Sequence, residues 1–361
     1  MRAFVSGGTG FIGWQVVQKL LRRGHAVWAL ARSESGATRL QQAGATVVWG
    51  DILDPESMRD AMRDSDIVFH LAAWYKLGSR DIQAAEPVNV MGARNVLELA
   101  YELGVPKIIY TSTINVLGDT AGEVVDEDYR MPIEEVSFNN EYDRTKWMAH
   151  YQVALPLIER GAPIIIVMPG AVYGPGDPSL VGDLMRAYCM GLLPLFPGPE
   201  TRITLAHVED IAEGHLLAAE KGRIGESYLL TGPPLSFREM ASLWAQASGK
   251  PAPVAYIPAA SLRPLAPLAG KAQKLLPLPP MLSQDGANIM GTTHLASSAK
   301  AQQELGWQTR PLEDGFRETF AHIAASRQPI LAATPQQKKA AALITGAALG
   351  LLLWQRRNRS R

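Results

Sequence analysis

The stretch Phe4-Val-Ser-Gly-Gly-Thr-Gly-Phe-Ile-Gly13 decides the fold of this chain. A short β-branched and aromatic run enters a turn in which Gly7, Gly10 and Gly13 recur at every third residue. Gly7 suits a tight turn, Gly10 lets a pyrophosphate approach the backbone, and Gly13 lets the following helix pack closely on the strand. Strand, turn and helix N-terminus together predict a dinucleotide site. The helix is predicted from the apolar residues that share one of its faces, namely Ile12, Val16, Val17, Leu20 and Leu21.

Composition indicates a folded enzyme and excludes several other classes. Of the 361 residues, 47% are hydrophobic and 19% are charged, which disfavours a disordered protein. Lys+Arg and Asp+Glu balance at 35 each, so we expect no nucleic-acid partner. The single cysteine, Cys189, excludes an intramolecular disulfide and a cysteine-cluster metal site, and no metal is expected. Because the first strand begins at the second or third residue, we expect no signal peptide and a cytoplasmic catalytic domain.

Strand and helix patterns alternate through the first half of the chain. Helical patterns around Pro55–Arg63 and Pro87–Leu103 lie between short apolar runs. This alternation predicts an α/β fold with a doubly wound, parallel Rossmann sheet that is covered on both faces. A smaller C-terminal substrate lobe and an appended apolar C-terminal helix complete the predicted architecture. After the N-terminal strand, the further strands of the first half are predicted at Ala26–Leu30, Thr46–Trp49, Ile67–Leu71 and Lys107–Thr111.

The same patterns divide the chain into domains. An amphipathic helix closed by its glycine is predicted at Ser236–Gly249, within the substrate lobe. The predicted divisions are an NADP-binding Rossmann domain at 1–174, completed by elements from about 203–232, a substrate lobe at 175–202 and 233–323, a linker at 324–337, and an apolar helix with basic flanks at 338–361.

The end of the second strand bears on the choice of nucleotide. NAD sites of this type usually carry an acidic residue there, whereas this chain has Leu30-Ala31-Arg32-Ser33. The guanidinium of Arg32 is planar and always charged, so it suits a phosphate. We therefore expect NADP(H), with NAD as the other option. Asp51 follows the third strand and is placed to meet an adenine amino group.

The pair Tyr142 and Lys146 carries the chemistry. Spaced four residues apart, the phenol and the ammonium lie on one helix face. A free tyrosine has a pKa of about 10, which a nearby ammonium lowers. Tyr142 is thus predicted to exchange a proton with a substrate oxygen while hydride moves to or from the cofactor. The segment Tyr110–Gly118, at the tip of the fifth strand, supplies hydroxyl groups that polarise that oxygen.

With these motifs the chain resembles the extended short-chain dehydrogenases/reductases, the NAD-dependent epimerase/dehydratase family. The resemblance covers roughly Met1 to Ile323 and is greatest to the dihydroflavonol-reductase-like branch and the hopanoid-associated sugar epimerases. That branch is suggested by Ala212–Leu216 and Gly222–Tyr228. Besides the glycine stretch and the Tyr142/Lys146 pair, the motifs that carry the resemblance are His70–Ala73, Asn89–Gly92, Thr111–Gly118, Pro169–Gly174, His207–Asp210 and Leu305–Trp307.

The resemblance assigns roles to individual residues. It implies that Thr113 is the catalytic hydroxyl, with Ser112 as the alternative, and that Tyr142 and Lys146 are the proton relay and its lysine. Asn89 matches a family asparagine, although a structural role at a helix start is equally open, and His70 is expected to pack at a strand end. The residues expected to bind the cofactor are Gly7, Gly10, Phe11, Ile12, Gly13, Arg32, Asp51, Ile52, Leu71, Ala72, Ala73, Tyr142, Lys146 and Pro169.

One departure from the family bears on the substrate. Sugar-nucleotide epimerases of the family place an arginine four residues before the histidine of His207–Asp210, and this chain has Ile203 there. Arg202 would point elsewhere if the segment is extended. A small to medium, largely apolar ketone or secondary alcohol is therefore favoured. The residues expected at the substrate pocket are Trp74, Tyr75, Leu77, Thr113, Asn115, Tyr173 and Leu192–Phe196.

The C-terminal tail is not needed by the family fold. Lys338-Lys339 precede an apolar run from Ala340 to Trp354, and Arg356, Arg357 and Arg359 follow it. Fifteen helical residues span about 22 Å, which is shorter than a ~30 Å hydrocarbon core, but snorkelling cations narrow the gap. A membrane anchor, an interfacial helix and a helix docked on the protein or on a partner all stay open.

Three functions are consistent with these features. The leading one is an NADP(H)-dependent oxidoreductase that acts on a carbonyl or secondary alcohol. The second is a sugar epimerase or dehydratase, in which hydride leaves one substrate and returns to it. A non-catalytic nucleotide sensor is the third, and it would not require Thr113, Tyr142 and Lys146. The expected partners are a small-molecule substrate and a second copy of the chain in a homodimer.

Overall fold

The computed structural model describes residues 1–76, 82–131, 138–191, 193, 195–258 and 291–326. Its strands are β1 Arg2–Ser6, β2 Ala26–Ala31, β3 Thr46–Trp49, β4 Ile67–His70, β5 Ile108–Thr111, β6 Val124–Val125, β7 Ile164–Pro169, β8 Ala171–Tyr173, β9 Leu195–Pro197, β10 Arg202–His207, β11 Ser227–Leu230, β12 Pro234–Ser236, β13 Ala255–Ile257 and β14 Leu295–Ala296. Its α-helices are α1 Phe11–Arg22, α2 Glu34–Ala43, α3 Glu56–Arg63, α4 Gly92–Glu102, α5 Glu141–Ala149, α6 Leu155–Glu159, α7 Leu180–Cys189, α8 Val208–Lys221, α9 Phe237–Ser248 and α10 Leu312–Ala325.

The main sheet has seven parallel strands in the order β11-β7-β5-β4-β1-β2-β3. The chain proceeds from β1 towards β3 on one side and from β4 towards β11 on the other, which confirms the predicted Rossmann-like parallel sheet. The order reverses between β1 and β4, where Ser6 is level with His70. Ligands of open α/β sheets bind in the crevice at such a switch point.

Both faces of the sheet are buried, as the near-continuous apolar strands predict. In β7 the side chains alternate between two core clusters, with Ile164 and Ile166 in one and Ile165 and Val167 in the other. This alternation follows from the two-residue repeat of a strand. Each face therefore has its own core.

The C-terminal lobe is small and mixed. It contains a three-stranded sheet, β12-β10-β8, and a parallel pair, β13-β9. Trp244 of α9 and Phe316 of α10 lie in its core, with ring centroids 6.1 Å apart. The predicted helix Ser236–Gly249 is confirmed: Ser236 forms a capping box with Glu239, and Gly249 ends α9 with a φ of 68°.

Two boundaries differ in detail from the expectation. Of the segment 203–232, β11 joins the main sheet, whereas β10 pairs with β8 and β12 in the second sheet. A π turn at Pro87–Met91 precedes α4, where one helix over Pro87–Leu103 was predicted.

The predicted linker and apolar tail fall almost entirely outside the described residues. Helix α10 extends to Ala325, so it takes in the first two residues of the predicted linker. Residues 327–361, which include the run Ala340–Trp354, lie outside the described ranges. No helix within those ranges combines the length and the apolar character needed to cross a bilayer.

Candidate active site

The glycine turn joins β1 to α1 at the carboxyl edge of the sheet. Gly7 has a φ of +81°, and a Cβ there would collide with the backbone of Leu71 and Ala72. A Cβ at Gly13 would collide with the carbonyl oxygen of Gly7. These two glycines are thus required by backbone conformation and by close approach.

The N-terminus of α1 faces a cavity of ≈ 420 Å³. Gly10 is its N-cap, no side chain caps it, and its first turn has no acidic residue. Because unpaired N–H groups and the helix dipole attract an anion, this end suits a dinucleotide pyrophosphate. All five predicted residues of this region line the cavity and would hold that group, namely Gly7, Gly10, Phe11, Ile12 and Gly13.

The adenosine end of the predicted site lies at the ends of β2 and β3. The Arg32 side chain is 64% exposed, and its Nη1 lies 3.4 Å from Oδ2 of Asp51. The other carboxylate oxygen of Asp51 accepts a hydrogen bond from the backbone of Leu53 at 3.0 Å. Ile52 is buried, and its carbonyl accepts from Asn95 at 2.9 Å. Arg32 and Asp51 are thus neighbours, although their roles were predicted separately.

Sequence reasoning missed Arg39, on α2. Its guanidinium lies 3.8 Å from the ring centroid of Trp14, and Nη1 is 3.5 Å from the carbonyl oxygen of Thr9 in the glycine turn. A second cation therefore borders the turn. The only available signal was the position of α2 directly after Arg32, which a helical pattern does not distinguish from a solvated face.

The remaining predicted cofactor residues lie at the ends of β4 and β7. Leu71, Ala73 and Pro169 line the cavity. Ala72 does not line it, because its backbone packs behind Gly7. Three of these four residues could therefore contact a ligand directly, and Ala72 instead supports the turn.

Thr113, Tyr142 and Lys146 converge on the same cavity. Tyr142 and Lys146 lie one turn apart on α5, whose N-cap, Asn140, accepts from the backbone of Asp143 at 2.9 Å. Thr113 caps a 3-10 turn, Ile114–Leu117, after β5, and its side chain favours the ionised form of Tyr142. Residues distant in sequence thus meet beside the glycine turn.

The pKa values of Tyr142 and Lys146 differ from the expectation. Lys146 Nζ donates to the carbonyl oxygen of Thr111 at 2.7 Å and to the hydroxyl of Tyr110 at 3.4 Å. Burial lowers the pKa of Lys146 to about 7. Burial and the charge of Asp143 raise the pKa of Tyr142 above its ordinary value, while the Thr113 side chain opposes that rise. Lys146 was expected to lower the pKa of Tyr142, but the pKa of Tyr142 is raised. Both side chains are buried, and burial disfavours the charged form of each.

Ser112 was the alternative catalytic hydroxyl. Its Oγ lies 2.9 Å from Nδ1 of His150, and both side chains are buried. Burial lowers the pKa of His150 to about 3, so the imidazole is neutral. Because the hydroxyl of Ser112 is engaged with His150, whereas the Thr113 side chain acts on the pKa of Tyr142, Thr113 is the favoured hydroxyl.

Asn89 and His70 support the site from behind. The amide of Asn89 accepts from the backbone of Trp74 at 2.6 Å, and it donates to the carbonyl of Trp74 at 3.1 Å and to Thr145 at 2.9 Å. It therefore ties the loop after β4 to α5. His70 is buried at the strand end as predicted, with Nδ1 2.7 Å from Oγ of Ser6.

The substrate-pocket predictions divide into two groups. Tyr75 and Asn115 line the cavity, and the Tyr75 ring meets the Tyr142 ring edge-on at 4.9 Å. Trp74 and Tyr173 do not line it. Asn89 holds the backbone of Trp74, whose side chain is buried.

Tyr173 was also predicted to line the substrate pocket, but it belongs to the core of the lobe. It is fully buried in the lobe core, 4.7 Å from the ring centroid of Phe316, and a Cβ at Gly315 would collide with its hydroxyl. Phe196 is likewise buried in that core. Leu77, Leu192 and Pro194 lie outside the described residues.

The lobe wall of the cavity was largely missed. Arg202 was expected to point away from the site, yet it lines the cavity together with Ile203. Arg202 pairs through its backbone with Ser236 of β12, and among the described residues its side chain forms no hydrogen bond or ion pair. Further lining residues from the lobe are Pro178, Ser179, Leu180, Val181, Thr201, Thr204, Phe237, Thr292 and His294. They come from separate segments of the chain, so no local sequence motif predicts that they line one cavity.

Comparison with known proteins agrees with this geometry. Residues 3–230 match the NAD dependent epimerase/dehydratase family. The chain is 32% identical to a candidate dihydroflavonol 4-reductase of Synechocystis sp. over 84% of this chain and 89% of that protein. It is 31% identical to a 4-hydroxy-2-methyl-3-oxo-4-farnesyl-3,4-dihydroquinoline-1-oxide ketoreductase of Stigmatella aurantiaca, over 86% and 92% of the two chains. The crystal structure of gox2253 superposes with a TM-score of 0.77 at 31% identity, covering 90% of this chain and 98% of that one.

The family match spans most of the chain and includes the glycine turn, the switch point and the Tyr142/Lys146 helix. The chain therefore belongs to the NAD-dependent epimerase/dehydratase family and is an NAD(P)-dependent oxidoreductase of the extended short-chain dehydrogenase/reductase type.

Proposed function

We propose that this enzyme uses NADP(H) to reduce a ketone, or to oxidise the corresponding secondary alcohol, on a largely apolar small molecule. The proposal rests on the convergence of Thr113, Tyr142 and Lys146 on one cavity. Both relatives named above are described as reductases, and their substrates join a carbonyl to a ring system or an isoprenoid chain.

In this proposal, residues of the chain polarise and protonate the substrate oxygen. Thr113 donates a hydrogen bond to the carbonyl oxygen and polarises it. The O–H bond of Tyr142 breaks as its proton passes to that oxygen, and solvent then reprotonates the phenolate. The bound nicotinamide supplies the hydride that the carbonyl carbon receives. Lys146 is the residue that would contact the nicotinamide ribose.

The walls of the cavity support an apolar substrate. Tyr75 covers the ring of Tyr142, and Leu180, Val181 and Phe237 line the lobe side. Apolar surface favours a ring or chain over a sugar, because a sugar hydroxyl that is buried without a partner costs free energy.

Arg202 supports the second candidate, a sugar-nucleotide epimerase or dehydratase. It lines the cavity and suits a diphosphate, although the family arginine position holds Ile203. The two candidates differ in net redox change. Only a reductase consumes NADPH stoichiometrically, whereas an epimerase returns the hydride to the same substrate.

A substrate screen that follows NADPH oxidation tests the proposal. The panel pairs a dihydroflavonol and a prenylated dihydroquinoline ketone with UDP-glucose. We expect stoichiometric NADPH loss with a ketone and none with the sugar nucleotide. Epimerised sugar without net NADPH loss would establish the second candidate instead. Tyr142→Phe is the control for a contaminating reductase.

Preference for NADP(H) is proposed from Arg32. It stands where NAD sites of this type carry an acid, and its long side chain is largely exposed. Its ion pair with Asp51 is weak, because exposed pairs contribute about 0–1 kcal/mol. A 2′-phosphate can therefore take the place of that carboxylate.

A membrane location is proposed from sequence alone. The run Ala340–Trp354 carries only Thr345 as a polar side chain and has cations on both flanks. A helix that is apolar all round is favoured in lipid rather than in a one-sided protein groove. We therefore propose a catalytic domain at the cytoplasmic face, held there by the tail.

A further inference from the structure

Asp143, the residue after the proposed proton donor, is a buried carboxylate in the wall of the cavity. Its side chain belongs to α5 and is only 4% exposed. An ionised carboxylate in such a place needs hydrogen-bond donors, because burial otherwise drives it to take up a proton. The sequence interpretation gave Asp143 no role.

Two asparagines hold this carboxylate. Asn115, in the 3-10 turn after β5, donates to Oδ1 at 2.7 Å, and Asn140, the N-cap of α5, donates to Oδ2 at 3.0 Å. Both amides donate to the anionic form, and the N-terminus of α5 adds the favourable end of the helix dipole. These contacts therefore stabilise the ionised carboxylate of Asp143. All three residues line the cavity that Tyr142 lines.

The fixed charge acts on Tyr142. A negative charge close to a phenol in a partly buried site disfavours the phenolate, and Asp143 raises the pKa of Tyr142 in this way, after burial itself. Of the carboxylates in the part of the chain that the structure describes, only Asp143 raises the pKa of Tyr142. Asp177 and Asp183 act instead on the pKa of Tyr75, which they raise.

The groups around the pair do not cancel this effect. Lys146 is directed to the carbonyl of Thr111, and its pKa is lowered to about 7 by burial. His294 lines the same cavity, and burial lowers its pKa to about 4, so it is neutral. Among the described residues, the titratable and charged groups that share the cavity with Tyr142 and Asp143 are Tyr75 after β4, Lys146 in α5 itself, Arg202 in β10 and His294 before β14, and Tyr110 in β5 interacts electrostatically with Tyr142.

We propose that Asp143 is a positioning residue whose charge, held by Asn115 and Asn140, keeps Tyr142 protonated so that the phenol serves as the acid of carbonyl reduction at alkaline pH. This inference rests on the proposed function. Proton transfer breaks the O–H bond of Tyr142 and forms one on the substrate oxygen, so the phenol must be intact before each reduction. Oxidation needs the phenolate, and Asp143 shifts that direction to higher pH.

The test compares Asp143→Asn with Asp143→Glu, which keeps the charge. The pH dependence of kcat/KM is measured in both directions, with the ketone found by the substrate screen and its alcohol. In Asp143→Asn we expect the acid limb of oxidation and the alkaline limb of reduction to move down by about one pH unit, a tenfold change in the ionised fraction. Asp143→Glu should stay near the wild type.

Asn115→Ala and Asn140→Ala serve as controls for a merely structural role. They remove one donor each and leave the carboxylate in place, so they should lower the rate without moving the limbs as far as Asp143→Asn does. The proposal would be overturned if an active Asp143→Asn variant had the same limbs in its pH profiles of kcat/KM as the wild type. If Asp143→Asn does not fold, Asp143→Ser supplies the same neutral comparison.

A second measurement needs neither cofactor nor turnover. Tyrosinate absorbance is titrated in the wild type, in Asp143→Asn and in each of these combined with Tyr142→Phe, so that each difference isolates Tyr142. We expect Tyr142 to ionise at lower pH in Asp143→Asn, and unchanged ionisation would overturn the inference. If the wild type reduces no ketone while the titration shifts, the proposed function fails and the effect of Asp143 on Tyr142 stands.

Discussion

The ammonium nitrogen of Lys146 lies 2.7 Å from the carbonyl oxygen of Thr111, at the end of β5. The lysine side chain is also 4.9 Å from the ring centroid of Tyr110 and is almost fully buried. A lysine of this kind is held by the sheet as much as by its own helix. Its contacts orient it towards the cavity, while burial makes its charge costly.

From the burial of Lys146 we predict that the free energy of unfolding depends on pH. Burial lowers its pKa from 10.5 to about 7. Between these values the unfolded chain binds one proton more than the native protein, so the free energy of unfolding rises with pH, by up to about 1.4 kcal/mol per unit. Below about pH 7 the gain is absent. Urea unfolding of Lys146→Met should lack this rise, and a variant with the same pH slope as the wild type would contradict the prediction.

Tyr142→Phe should lower kcat by about 10²–10⁴-fold, because the proton donor is lost. Cofactor affinity should change little, since the phenyl ring keeps its packing against Tyr75. Steady-state kinetics and calorimetry measure the two effects separately. Tyr75→Phe is the matched control, because it removes a neighbouring hydroxyl and keeps the edge-on ring contact. A Tyr142→Phe enzyme that retains most of its activity would exclude the assigned mechanism.

Arg32 should make the protein bind NADPH at least about tenfold more tightly than NADH, a difference of ~1.4 kcal/mol. Arg32→Asp should reverse the order, because a carboxylate repels the 2′-phosphate and accepts hydrogen bonds from the ribose hydroxyls. Isothermal calorimetry measures both affinities. The same change at Arg63, a similarly exposed arginine at the end of α3, should leave both affinities unchanged. Equal affinities of the wild type for the two nucleotides would refute the preference.

Removal of residues 338–361 should transfer the protein from the membrane pellet to the supernatant. Melting temperature and specific activity should stay unchanged, because the tail follows α10, the last helix within the described residues. Fractionation after lysis without detergent measures this, and Leu351→Arg with Leu353→Arg tests the apolar run at full length. A full-length protein found wholly in the supernatant would favour a docked helix.

Much of the fold follows from local sequence alone. The glycine spacing from Gly7 to Gly13, the apolar strands and the capped helix Ser236–Gly249 each have a physical cause within a few residues. Turn conformation, strand burial and helix capping need no distant partner, so their prediction was confirmed. The pairing of Tyr142 with Lys146 on one face of α5 is a local property of the same kind.

Tertiary structure alone decided what surrounds those residues. Tyr173 packs against Phe316, Arg202 reaches the cavity, and Asn115 meets Asp143 across 28 positions of sequence. A sequence pattern tells which face of an element a residue occupies, but not which distant element covers that face. Burial and neighbouring charges then set the pKa of Tyr142 and of Lys146, so the electrostatics of the site were determined only when the lobe, the sheet and α5 came together.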